Sequence, residues 1–180
     1  STGDQKRNLK RYKSRIDRIF YKPITFTKTL KMWSDKEELS ENENKIIFDG
    51  VHVLVAEDNL INQKLILHVL NRLGIEVTIV NNGQEALDHT VENEYDMIFM
   101  DIQMPVMGGM EATGKIMNYE RNHRKKHTPI VALTANALTG DREMYMAAGM
   151  DNYLSKPIEL EALTLLLQEH FSDRIHEEDI

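Results

Sequence analysis

The sequence predicts an α/β fold, a doubly wound five-stranded parallel sheet with helices on both faces. Three observations predict it. Five short apolar runs are bounded by polar residues, as strands buried on both faces are. Between them lie stretches whose apolar residues are spaced three and four apart, as on amphipathic helices. The two patterns alternate strictly, which is what a parallel sheet with crossover helices requires.

The first strand is expected over 51–56 and stops at Glu57-Asp58. A helix follows over about 60–73, with Ile61, Leu65, Ile66, Val69, Leu70 and Leu73 on one apolar face and Gly74 as its stop. The second strand, 75–80, ends in Asn81-Asn82-Gly83, and the next helix contains Ala86, Leu87 and Val91. The third strand, 96–100, delivers Asp101. A loop over 104–109, with Pro105, Gly108 and Gly109, then opens a helix through Met110, Ile116, Met117 and Tyr119. The fourth strand, 130–133, follows Pro129 and ends at Thr134, and a Met- and Ala-rich helix covers about 138–148. The fifth strand, 153–155, stops at Lys156, and the last helix covers about 160–171. Right-handed crossovers with helices on both faces favour the flavodoxin-like strand order 2-1-3-4-5.

In such sheets the ligand site lies outside the carboxyl ends of the strands. The fold therefore gathers Glu57, Asp58, Asp101, Thr134 and Lys156 at one edge. Carboxylates this close repel one another unless a cation sits between them. Oxygen ligands with open positions suit Mg²⁺, with Mn²⁺ as a substitute, better than zinc or copper. Lys156 adds a point charge, and Thr134 and the backbone N–H of Ala135 add donors. The Asp101 carboxylate is the nucleophile that would form an acyl phosphate. Singly, each residue has an ordinary explanation: Asp58 and Thr134 as helix caps, Lys156 as a surface lysine. Jointly, at strand ends in this order, they point to metal-assisted phosphoryl transfer to a carboxylate.

Bulk properties narrow the class. The 180 residues allow one domain of ordinary size plus an appendage. Without Cys, neither a disulfide framework nor a thiolate metal site can form. No apolar run is long enough to span a bilayer, so this piece is expected to be cytoplasmic and free of direct membrane contact, with any anchor elsewhere in a parent protein. Residues 1–31 hold ten Lys/Arg against two Asp/Glu. That arm also carries Ile16, Ile19, Phe20, Ile24, Phe26 and Leu30, which favours a docking or solvated segment over nucleic-acid contact.

The expected organisation is a basic arm over 1–31, an acidic linker over 32–50, the α/β domain over 51–171 and a tail over 172–180. The arm holds an echo: Asp17, Lys22, Pro23 and Ile24 have the offsets of Asp151, Lys156, Pro157 and Ile158. It reads as the tail of a preceding copy of the same domain. Seven histidines raise metal and phosphohistidine readings, but His123 and His127 lie among Arg121, Arg124, Lys125 and Lys126, a poor setting for a cation. A solvated basic helix end is the expectation there. No glycine pattern for ATP is present.

The combined motifs, Val53-Leu54-Val55-Ala56-Glu57-Asp58-Asn59, Met100-Asp101-Ile102-Gln103-Met104-Pro105, Ala132-Leu133-Thr134-Ala135-Asn136 and Ser155-Lys156-Pro157, resemble the receiver domain of two-component phosphorelays. Asn59, Asn62 and Gln63 after the acidic pair are similar to receivers of hybrid sensor histidine kinases. The resemblance covers about 51–171. It implies that Asp101 accepts a phosphoryl group from a phosphohistidine. Asp58, Asp101 and the Gln103 carbonyl would ligate Mg²⁺, with Glu57 acting through water. Thr134, the Ala135 N–H and Lys156 would contact the phosphoryl group, and Tyr153 matches the family's switch aromatic. Gln103 and Asn136 occupy the positions that tune attacking water. Both are amides, which orient water without deprotonating it, so a moderate acyl-phosphate lifetime is expected.

The implied partners are a histidine kinase domain, in the same or another chain, and a histidine phosphotransfer domain. The first helix, with Ile61 and Leu65, is a candidate docking face. The domain would catalyse its own phosphorylation and dephosphorylation, and its parent would be a histidine kinase; the alternative is a stand-alone regulator. Gly108 stands where the family usually has an acid, which removes no reacting group. A phosphatase of the haloacid-dehalogenase type would need a second Asp where Gln103 stands. A flavodoxin-like cofactor binder would need a phosphate cradle rather than Asp58-Asn59-Leu60.

Overall fold

The computed structural model describes residues 45–135 and 141–178. In chain order the elements are β1 (Lys45–Phe48), β2 (His52–Ala56), α1 (Leu60–Arg72), β3 (Glu76–Val80), α2 (Gly83–Glu92), β4 (Met97–Asp101), α3 (Gly109–Asn122), β5 (Ile130–Thr134), α4 (Asp141–Ala147), β6 (Asn152–Ser155), α5 (Leu160–Phe171), a 3-10 turn (Ser172–Arg174) and β7 (Ile175–Glu178). Five strands form one parallel sheet in the order β3-β2-β4-β5-β6, the order expected from the sequence.

The central strands are apolar throughout because helices cover both faces: every residue of β4 and β5 is buried. Leu54, Ile98, Met100, Ile116, Ile130 and Ala132 belong to one continuous core with Tyr145 and Met150. α1 begins where it does because the Asn59 side chain caps it, accepting from the N–H groups of Ile61 and Asn62. Asp58 is thereby released from capping. The face of α1 is buried at Leu65, Ile66, Val69, Leu70 and Leu73, but Ile61 is 49% exposed, unlike its expected place on that face.

The expected linker and tail meet in a second sheet. β1 pairs antiparallel with β7, and Phe48, fully buried, packs edge-on against Phe171 at 6.5 Å. The N–H of Phe48 donates to the Leu73 carbonyl, and Arg174 donates to Asp96 at the start of β4. This places the clasp at the amino-terminal edge of the main sheet. The basic arm over 1–31, its repeat echo and the linker up to 44 lie outside the described residues. No helix among the described residues is long and apolar enough to cross a membrane.

His127 is not a solvated bystander. α3 ends at Asn122, so His127 lies beyond it and shares no helical face with His123. Its Nδ1 sits 2.8 Å from Glu120 Oε2 and its Nε2 3.0 Å from Asp151 Oδ2. The same two carboxylates accept the N–H groups of Thr128 and Ile130, so the network seats β5. Burial opposes charge on the ring, but the bonds to Glu120 and Asp151 outweigh it and raise the His127 pKa above the ordinary histidine value. A raised folded value gives stability that is complete below about pH 6.5 and is lost as pH rises through the folded value. His127→Gln is therefore expected to cost more stability at about pH 6 than at about pH 8.5 in urea unfolding. The ring is 40% exposed, so solvent screening keeps the difference within about 1 kcal/mol. Equal losses at both values would show that the ring acts only by neutral hydrogen bonding.

Candidate functional site

β2, β4, β5 and β6 end side by side at the carboxyl edge, and each delivers a polar residue there. Oxygens of Glu57, Asp58 and Asp101 lie within 4.8 Å of one another. Glu57 is 1% exposed and Asp101 6%, while Asp58 is open to solvent. Glu57 Oε1 accepts from the Asn59 N–H at 3.1 Å and from Asn62 Nδ2 at 3.0 Å. Gln63 Nε2 holds the Glu57 carbonyl and Asn81 Oδ1, so three amides after the acidic pair fix its place.

Lys156, at the end of β6, bridges the acids. Its Nζ is 2.7 Å from Asp101 Oδ2 and 2.6 Å from Glu57 Oε2. The second contact is a charge pair, and among the described residues Glu57 Oε2 has no hydrogen-bond partner. The N–H of Gln103 donates to Asp101 Oδ1 at 3.2 Å. Burial lifts the Asp101 carboxyl above the ordinary carboxylate value; Lys156 opposes this, and the nearby Glu57 charge adds to it. A buried carboxylate of raised basicity is a better nucleophile than a solvated one.

Among the described residues three carboxylates cluster here and one ammonium, Lys156, pairs with two of them, which leaves an excess of two negative charges. A divalent cation matches that excess, and an all-oxygen donor set with one acid open to solvent suits a hard ion such as Mg²⁺. The residues present therefore fit the metal expected from the sequence.

The loop after β4 is held tightly. Gly109, the first residue of α3, packs so close that a methyl there would overlap the Asp101 carbonyl oxygen and lie 2.9 Å from Met100 Cγ. Val106 is β-branched yet has φ 66°, in the left-handed region, and is 83% exposed. With Leu60 (68% exposed) and Ile61, at the start of the helix that follows Glu57-Asp58, it leaves apolar surface on the two segments that follow the acids.

Thr134 is buried at the end of β5, and its Oγ1 lies 2.9 Å from the hydroxyl of Tyr145 on α4. Ala135, next to it, is exposed, and so is the Gln103 side chain. Tyr153 is half-buried against the core. Asn136 lies outside the described residues. Glu57, Asp58, Asp101 and Lys156 are thus brought together as expected, while Leu65 is core rather than docking surface. The contact that sequence reasoning missed is Tyr145. Nothing in a Met- and Ala-rich helix marks a tyrosine eleven residues after Thr134 as its partner. A cleft of about 780 Å³ at the opposite edge, lined by Tyr95, Lys125, His127 and Arg174 among others, contains none of these groups.

The model of the response regulator receiver domain matches residues 53–168. Hybrid signal transduction histidine kinase I of Dictyostelium discoideum is 49% identical over 111 residues, 59% of this chain and 6% of that protein. The chain spans a tenth or less of the first four curated relatives it matches, all hybrid kinases of that organism. Among solved structures, the receiver domain of sensor histidine kinase PA1611 from Pseudomonas aeruginosa, with magnesium coordinated in its active-site cleft, is 42% identical with a TM-score of 0.61. It covers 68% of this chain and 98% of that one. The complex of the Saccharomyces cerevisiae histidine phosphotransfer protein Ypd1 with the receiver domain of Ssk1 matches at 34% identity and TM-score 0.64, over 70% of this chain and 92% of the matched chain.

Proposed function

This chain belongs to the response regulator receiver domain family, and from that premise we propose that it is the phosphoaccepting receiver of a hybrid sensor histidine kinase in a phosphorelay. The observation that carries the reading is the buried Asp101 carboxylate, held between Lys156 and the Gln103 N–H at the mouth of an acidic cluster.

Asp101 attacks the phosphorus of a phosphohistidine. The P–N bond breaks as the P–O bond forms, and the imidazole nitrogen leaves with the bonding electrons. Lys156 follows the charge onto the phosphoryl oxygens. Thr134 and the Ala135 N–H donate to the same oxygens. Asp58, Asp101 and the Gln103 carbonyl would hold Mg²⁺, with Glu57 acting through water, and the ion would supply charge neutralisation at those oxygens. Gln103 and Asn136 govern water access and hence the domain's own dephosphorylation. Tyr153 reports the phosphoryl group by moving inward as Thr134 shifts.

The partners are a kinase domain that donates and a histidine phosphotransfer domain that receives. Support for the second is the likeness to the Ypd1–Ssk1 complex, together with the exposed Leu60, Ile61 and Val106 on the segments leaving the site. A stand-alone regulator is disfavoured, since the first relatives matched are hybrid kinases. On this reading the domain works in the cytoplasm.

The test is incubation with acetyl phosphate, with and without Mg²⁺, read by intact mass. Wild type is expected to gain one phosphate only with metal, and Asp101→Asn to gain none. A wild type that stays unmodified would leave a phosphate-independent docking domain instead.

A further inference from the structure

We propose that Tyr145 is a positioning residue that holds Thr134 against α4 and so opposes the phosphorylated state. The inference rests on the reading that Thr134 contacts the phosphoryl group, and it adds a residue that no motif includes. Tyr145 is 3% exposed, and its ring is part of the core with Ile130, Ala132 and Met150. A phenylalanine would fill the same space. The hydroxyl is the part that packing does not explain. Placing a phenol in a core is unfavourable unless its O–H finds a partner, and here it lies 2.9 Å from Thr134 Oγ1, itself buried.

A threonine hydroxyl has one hydrogen and two lone pairs. In the structure Tyr145 engages that group from α4. A phosphoryl group on Asp101 is a charged acceptor, and it draws the Thr134 hydroxyl toward the acidic cluster. As Thr134 moves, the Tyr145 hydroxyl stays behind among apolar side chains and loses its hydrogen bond. The phosphorylated state must offset that loss, so the pair biases the equilibrium toward rest. The bias is specific to this arrangement: it needs a hydroxyl on α4 at the position of Tyr145, and it disappears with that one oxygen.

The experiment is calorimetric titration of the chain with beryllium fluoride in the presence of Mg²⁺, an equilibrium probe of the phosphoryl site. Tyr145→Phe is expected to bind about five- to tenfold more tightly than wild type, the ratio one hydrogen bond of ordinary net strength carries. In a Thr134→Val background the same substitution is expected to change nothing, because no hydroxyl remains to be held. Binding by Tyr145→Phe that is unchanged or weaker would overturn the proposal. So would tightening of equal size in the Thr134→Val background, since the tyrosine would then act through packing. Thr134→Ala tests the underlying reading separately. If it binds the probe as well as wild type, Thr134 makes no phosphoryl contact, and the inference falls with that reading rather than alone.

Discussion

Lys156→Ala is expected to slow phosphorylation of Asp101 by acetyl phosphate about 10- to 100-fold, because a hydrogen bond to a charged group is worth about 1.5–3 kcal/mol. The lysine contributes twice. It sits against Asp101 Oδ2, and on the proposed reading it follows charge onto the transferred phosphoryl group. Its removal also leaves Glu57, 1% exposed, and Asp101 facing one another without a counter-ion. Breaking such a pair from one side leaves buried charge uncompensated, at a cost of about 3–5 kcal/mol. The midpoint of thermal unfolding should therefore fall in metal-free buffer and recover in part when Mg²⁺ is added. A rate within twofold of wild type would exclude Lys156 from the reaction. A midpoint that does not respond to Mg²⁺ would mean that the acids do not share a cation.

Gly109→Ala is the second large effect. The added methyl has no room: it overlaps the Asp101 carbonyl oxygen and approaches Met100 Cγ. Both belong to β4, a strand buried over its whole length, so the strand end cannot yield without moving the carboxylate. Overpacking of this kind is expected to cost about 3 kcal/mol, or about 10 °C in Tm for a domain of this size, and to abolish phosphorylation as Asp101 is displaced. Gly114→Ala, five residues along the same helix, is the matched control. Among the described residues a methyl there meets nothing within 4 Å. Alanine in a helix interior should stabilise by about 0.5–1 kcal/mol, so the two substitutions shift Tm in opposite directions. The idea fails if both shift it the same way.

The order of strands and the residues at their carboxyl ends were legible because both follow from local pattern. Runs such as 97–100 are apolar without a break only when a strand is covered on two faces, and a parallel sheet fixes which end carries the site. What the sequence left out depends on distance along the chain. Periodicity reports the angle of Ile61 around α1, not that the first turn lies beyond the cover of the sheet. Ile46, Ile47 and Phe48 form an apolar run, yet the partner strand of β1 lies more than a hundred residues away and carries little apolar signal of its own. His127 stands among cations in the sequence, and only the fold sets Glu120 and Asp151 beside it. The link from Tyr145 to Thr134 is of the same kind. A hydroxyl in a helix of Met and Ala has no local reason to be there, and its reason is a strand end in another element.

The clasp of β1 and β7 has a mechanical consequence. Lys45 stands opposite Glu178 and Phe48 opposite Ile175, so the two outer ends of the pair are its first rung. Tension applied at Lys45 and Glu178 would open this ladder one rung at a time, ending at Phe48 and Ile175. Opening of this kind would begin at the edge of the sheet far from Asp101, so the first rungs to part are the ones most distant from the carboxylate cluster.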